Sequence, residues 1–330
     1  MKTTASKLHA WLQLIRPPNL FTVPGDPVVG FMVATAMGGF APDLQRVLLP
    51  ALAILFLYIG GLIGNDLADF AEDARDRPFR PLPSGRVSRT HARLATASCV
   101  LLGLLLALTV GRATFVAALL TQIAILAYNG WLKRFSLLGA LAMGACRGGS
   151  VLVGATAAGW PRSPIRIESL CLEMMPGGCV LRDVAPTFWW AKYGVVLAAV
   201  AGITLYISGI TAIADRETVA VRIGWRRWVP MVALVGLWLL EGYYLSSVSL
   251  VGVVLAVASV LWAGYQGWQV RGVPSPAQVG ATVGGLIRGL LLVQAGCCAL
   301  SGQAGGLMAA AVLLALWPVS RAVAKWYYAS

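Results

Sequence analysis

The sequence predicts an all-α fold: a polytopic membrane bundle of nine to ten transmembrane helices. Three observations carry this. Of 330 residues, 58% are hydrophobic and only 12% are charged, about half the charged fraction of a soluble domain. Apolar stretches of about 20 residues, the length that crosses a bilayer as a helix, recur from one end of the chain to the other. The basic residues collect in alternate loops, as they do in membrane proteins.

Taken in order, the expected spans lie near 19–38, 47–65, 91–110, 113–130, 136–158, 193–214, 228–247, 249–267, 279–300 and 306–323. The first begins just after Pro17 and Pro18, residues suited to a helix start. The second, third and fourth are rich in Leu and Ala, and short polar joints separate them. The fifth mixes small residues with one intramembrane arginine, Arg147, and the ninth contains another, Arg288. Such a charge in a span normally faces a polar interior or an acidic partner, here Asp26 or Glu241. Gly-rich stretches blur the ends of the last two spans. Residues 159–192 form the only long outer loop; this is an insert between the fifth and sixth spans of a single domain covering 1–330. Its Trp160, Trp189 and Trp190 suit a membrane interface. No cleaved signal peptide is read at the N-terminus.

With the N-terminus in the cytoplasm, eighteen Lys and Arg residues fall in cytoplasmic loops and six in outer ones. This puts the insert outside a plasma (inner) membrane. The net charge of +13 follows from those loops, and no nucleic-acid partner is inferred. Cys99, Cys146, Cys297 and Cys298 sit in apolar segments as small packing residues, whereas Cys171 and Cys179 share the insert and could pair if it faces an oxidising compartment.

The acidic residues are few and uneven. Five of thirteen lie between Asp66 and Asp76, at the end of the second span, and Asp215 and Glu217 follow the sixth. Asp66, Asp69 and Asp73 are spaced i, i+3, i+7, which on a helix puts them on one face beside Asn65. Three carboxylates on one stripe beside hydrocarbon repel one another unless cations neutralise them. Mg²⁺ suits carboxylate oxygens, keeps several waters and commonly bridges to phosphates. Basic residues just downstream, Arg77 and Arg80, could hold phosphate oxygens that a metal leaves free. The plainer alternative is a solvated helix end of mixed charge.

The stretch Asn65, Asp66, Asp69, Asp73, followed by Arg80-Pro81-Leu82-Pro83-Ser84-Gly85, resembles the first aspartate-rich motif of the UbiA superfamily of intramembrane prenyltransferases. Three further segments resemble that family in the same order: "LIRPPN" (14–19), "YNGWLKRFSLLG" (128–139) and "ITAIADRETVAVRIG" (210–224). The resemblance implies a bundle around a central cavity open to the membrane. At its cytoplasmic end two aspartate motifs would hold Mg²⁺ against a prenyl diphosphate donor. Asp66, Asp69, Asp73 and Asp215 would be the catalytic metal ligands, with Glu217 beside them. Asn65, Arg77, Arg80, Lys133, Arg134 and Arg216 would bind diphosphate. Asn19, Tyr128, Arg147 and Tyr206 would line the cavity. A lipophilic or aromatic acceptor would take the isoprenoid group and pyrophosphate would leave. The second motif departs from the family pattern: four residues after Asp215, where an aspartate is usual, stands Val219. The chain resembles in this the divergent EboC-like branch, which keeps the first motif and loses much of the second. That departure keeps open a non-catalytic isoprenoid- or lipid-binding protein with the same shell, or a structural partner in a biosynthetic complex.

The charge asymmetry makes a sidedness prediction. Cysteines introduced at Ser88 and Ser163 should label from opposite sides of the membrane, and labelling of both from one side would overturn the orientation.

Overall fold

The structure is a computed structural model, described over residues 2–36, 44–161, 186–217, 221–245 and 247–328; the expectations for Cys171, Cys179, Val219 and most of the insert lie outside these residues. It contains helices and turns only, with no strand among the described residues. In chain order the helices are α1 (Lys2–Ile15), α2 (Pro17–Leu20), α3 (Gly25–Ala36), α4 (Leu44–Ala68), α5 (Phe70–Asp76), α6 (Arg89–Val110), α7 (Arg112–Gly130), α8 (Ser136–Ala157), α9 (Pro186–Ala214), α10 (Val229–Tyr244), α11 (Leu250–Gln269), α12 (Pro276–Ala299) and α13 (Ala304–Tyr328). Among the described residues, eight helices are long and apolar enough to cross a membrane. The chain is thus a multi-pass membrane protein. Two expected spans are shorter. The first is interrupted where Pro24 and Gly25 end a turn, so α3 starts six residues later than expected. The seventh gives way to extended backbone at Leu245.

Neighbours in sequence pack as neighbours in space: α4 on α6, α7 on α8, α8 on α9, α9 on α10 and α11 on α12. The exception is α3, which packs on α8, α12, α9 and α4. Ten of its twelve residues are buried, Asp26 included. Small residues allow this. A Cβ added at Gly30 would lie 2.8 Å from the carbonyl carbon of Val151, and one at Gly154 would lie 2.6 Å from Cα of Pro27. Backbone therefore touches backbone along the α3–α8 contact, which is how helices associate where lipid removes the hydrophobic incentive.

One polar network fixes α3 in place. Arg147 Nε of α8 lies 2.5 Å from Asp26 Oδ2, and its Nη2 donates to Thr22 O at 2.9 Å. Gln294 Nε2 of α12 donates to Asp26 Oδ1 at 2.7 Å and to Thr22 O at 2.8 Å. Asp26 and Gln294 are 0% exposed. Arg147 thus finds its partner in Asp26. Breaking one member of a buried pair strands the other charge and costs about 3–5 kcal/mol, whereas replacing both with apolar groups of similar volume is close to neutral. Asp26→Leu should therefore lower unfolding free energy in detergent by about 3–5 kcal/mol, and Asp26→Leu/Arg147→Met should recover most of it. Equal losses in the single and double variants would show that the pair does not act as a pair.

Candidate functional site at the carboxylate end of the bundle

The first aspartate motif sits on a bend. Helix α4 ends at Ala68 and α5 begins at Phe70, with Asp69 between them at φ −86, ψ 3. The expectation of one continuous helix is corrected here, yet the ladder survives the bend: Asp69 N–H donates to Asn65 O and Asp73 N–H to Asp69 O. The aspartates consequently stay together on one side.

Each carboxylate is met by a cation from a different segment. Arg16 Nη2, between α1 and α2, donates to Asp66 Oδ1 at 2.8 Å. Lys133 Nζ, in the 3₁₀ turn Leu132–Arg134, lies 2.5 Å from Asp69 Oδ1 and 2.9 Å from Asn65 Oδ1. Arg80 Nη1 donates to Asp73 Oδ2 at 2.7 Å. Asn65 Nδ2 closes the group by donating to Asp69 Oδ2 at 3.1 Å. Asp66 and Asp73 are buried and also feel each other's charge, with Arg80 acting on both.

The loop carrying Arg80 is pinned rather than loose. Leu82 and Val87 are buried in a small core with Ala10, Leu14, Ile63 and Ala92. Gly85 takes φ +72, and Arg86 Nη2 donates back to Phe79 O at 2.7 Å. Arg16 is held differently. Its backbone is left-handed, φ 48 and ψ 64, directly before Pro17, a conformation that costs a non-glycine residue about 1–2 kcal/mol. Strain of that size at a residue that grips an aspartate marks Arg16 as part of the site. It was absent from the expected site residues, although it lies inside "LIRPPN", where a basic residue abuts two prolines.

Two spaces meet at Arg16. One is bounded by α4, α7 and α8, with Arg16, Asn65, Tyr128 and Asn129 toward its mouth and Ile54, Arg147 and Ser150 deeper. Its walls are mainly apolar, with Leu57, Leu62, Ile125 and Met143 among them. The other lies on the outer side of Arg16 and Asp66 and is bordered by Arg80 and Arg86. Tyr58 faces Arg147, with the guanidinium 6.0 Å from the ring centroid.

Not every expected residue reaches this place. Tyr206 is fully buried between α9 and α12, where its hydroxyl donates to Leu286 O at 2.8 Å. It does not line the cavity, because α9 packs behind α8. Asn19 lies on α2 and is not among the residues that bound this space. Arg77 and Arg134 are solvent-exposed on the same rim. Asp215 accepts a hydrogen bond from Ser136 Oγ at 2.7 Å, three residues along from Lys133. Glu217 lies over Gly280 of α12, and Arg216 stands between them. The basic turn thus separates the two acidic groups rather than letting them converge.

Among the described residues no three acidic, Cys or His side chains converge closely enough to enclose an ion. Mg²⁺ does not need such a cage; it takes one or two carboxylates and completes its shell with water and phosphate. Arg16 occupies one oxygen of Asp66 and Arg80 one oxygen of Asp73, leaving each carboxylate a second oxygen. The donor set therefore fits Mg²⁺ together with a phosphate ligand.

Comparison with known proteins gives the same direction. Residues 27–279 match the UbiA prenyltransferase family. The digeranylgeranylglyceryl phosphate synthase of Methanopyrus kandleri is 30% identical over 210 residues, 63% of this chain and 76% of that protein. The protein of the same name from Saccharolobus solfataricus is 28% identical over 150 residues, 46% of this chain and 52% of its own length. The chain thus spans about half the length of one such relative and three quarters of the other. The solved structure of a UbiA homolog from Aeropyrum pernix K1 superposes with a TM-score of 0.60 at 17% identity, covering 84% of this chain and 96% of that one. A structure from work on digeranylgeranylglyceryl phosphate synthase in membranes gives 0.57 at 20% identity, covering 87% and 96%. At such identities the two structures establish the fold. The family match extends over most of the chain and takes in both acidic groups and the basic turn between them; the chain belongs to the UbiA prenyltransferase family.

Proposed function

We propose that the protein is a Mg²⁺-dependent prenyltransferase of the plasma membrane, with its N-terminus and carboxylate end in the cytoplasm. It would move an isoprenoid group from a prenyl diphosphate to a lipophilic acceptor. The observation that carries this is the pairing of Asp66, Asp69 and Asp73 with Arg16, Lys133 and Arg80 at the mouth of an apolar cavity. Carboxylates and cations in this arrangement suit a ligand that is itself a metal-bound anion with a greasy tail. The names of the relatives, with two geranylgeranyl groups on glyceryl phosphate, favour a lipophilic acceptor over an aromatic one.

In this reading Asp66, Asp69 and Asp73 would hold Mg²⁺, which would supply positive charge that makes pyrophosphate a better leaving group. Arg16, Arg80 and Lys133 turn from the carboxylates to the diphosphate oxygens. There they stabilise the negative charge that grows as the carbon–oxygen bond breaks. The walls around Leu57, Ile125 and Met143 take the isoprenoid tail and keep water from the allylic cation. The ring faces of Tyr58 and Tyr128, both on the cavity, suit that cation. The acceptor's nucleophilic atom forms the new bond and gives up its proton, and pyrophosphate departs with the electron pair of the broken bond.

Asp215, Arg216 and Glu217 stand apart from the first motif, and the position that an aspartate usually fills in the family is Val219 here. This is the observation that favours the second reading, an isoprenoid-binding protein without catalysis. Magnesium-dependent pyrophosphate release separates the two. Asp66→Ala, Asp69→Ala and Asp73→Ala should each abolish Mg²⁺-dependent binding of a prenyl diphosphate; melting in detergent should change little for the partly exposed Asp69, and should fall for Asp66 and Asp73, whose loss strands Arg16 and Arg80. Unchanged binding in all three would remove the metal role. Asp215→Asn should weaken Mg²⁺-dependent pyrophosphate release without abolishing donor binding. Binding with no release in the wild type would select the non-catalytic reading.

A further inference from the structure

A second cationic cluster lies at the same end of the bundle, away from the aspartate mouth. The 3₁₀ turn Gly224–Trp228 carries Trp225, Arg226, Arg227 and Trp228, and it packs on α9, α10 and α11. It is seated against the end of α11: a Cβ at Gly267 would lie 2.6 Å from Arg227 O. Arg227 stacks on Trp228 with its guanidinium carbon 5.0 Å from the ring centroid, and Arg271 stacks on Trp268 at 4.7 Å. Arg226 Nη1 and Arg227 Nε are buried with no hydrogen-bond acceptor.

These arginines differ from the others at membrane depth. Arg16, Arg80, Lys133 and Arg147 are each paired with an aspartate. Among the described residues no carboxylate pairs with Arg226, Arg227 or Arg271. The nearest acidic group along the chain, Asp215–Glu217, is turned toward Ser136 and Gly280. Buried guanidinium N–H groups without acceptors are an incomplete site, and a forked guanidinium fits phosphate oxygens.

The surface beside the cluster indicates what carries that phosphate. Val254, Val257, Leu261, Tyr265 and Trp268 are all more than half exposed. At i+3 and i+4 spacing they form one apolar stripe down α11 that ends at Arg271. Trp225, 75% exposed, stands at the same level as an interfacial aromatic does. A free anion has no use for the stripe; a phospholipid uses both parts.

We propose that Arg226, Arg227 and Arg271 bind the phosphate headgroup of an anionic phospholipid whose acyl chain lies along the α11 stripe. The site is independent of the prenyl-transfer reading, since it lies on the far side of α9 from the cavity.

Native mass spectrometry of the full-length protein in detergent tests this, using phosphatidylglycerol and phosphatidylcholine as probes. The wild type should retain phosphatidylglycerol in preference. At roughly the strength of one basic residue near an anionic surface for each arginine, Arg226→Gln/Arg227→Gln should weaken phosphatidylglycerol binding by about 30-fold. Arg93→Gln, an exposed arginine of α6 at the same end, should leave it unchanged. Retained binding in the double variant, an equal loss with Arg93→Gln, or displacement by millimolar inorganic phosphate would each overturn the proposal. If the double variant melts early in phosphatidylcholine, Arg271→Gln at an exposed helix end carries the test, with an expected loss of about fivefold.

Discussion

Charge at the edge of hydrocarbon has to be met by opposite charge, and much of this structure is the working-out of that requirement. Asp66, Asp69 and Asp73 could not stand together at the end of α4 on their own. They are tolerated because Arg16, Lys133 and Arg80 come from three separate segments to meet them. Each pairing also fixes a piece of backbone: the α1–α2 joint, the turn between α7 and α8, and the loop before α6. The ion pairs thus stabilise the rim and define the site at once. Deeper in the membrane the same requirement joins Arg147 to Asp26, and that pair ties α3 to α8 while Gln294 brings in α12.

The two halves of the bundle respond differently to their sequences. In the first, small residues such as Gly61, Cys146 and Ser150 on α4 and α8 leave a space between those helices and α7. In the second, Tyr206, Leu234, Leu286 and Leu290 fill the interior completely. The cavity is therefore on the side that carries the first aspartate motif, and the α9–α12 interior packs behind it.

Much of this was legible in the chain. Helical spans follow from apolar run length, and the aspartate face follows from i, i+3, i+7 spacing, because both depend on local periodicity. Asp26 as a partner for Arg147 was foreseeable too, since intramembrane charges are so few. What depends on packing was not. Tyr206 reads as a polar aromatic near a cavity, and only the placement of α9 behind α8 buries it against Leu286 O. The break at Pro24–Gly25 sits within a run whose hydropathy is continuous, and the bend at Asp69 leaves the i, i+3, i+7 spacing unchanged. Arg16 hid for another reason: its importance lies in a left-handed backbone, which no hydropathy pattern records.

That residue has one more role. Arg16 borders both the apolar cavity and the space facing Arg80 and Arg86. Its side chain, held by Asp66, is therefore the shared wall of an apolar space and a polar one. A substitution at this single position would reshape both at once, so the two spaces cannot vary independently in sequence.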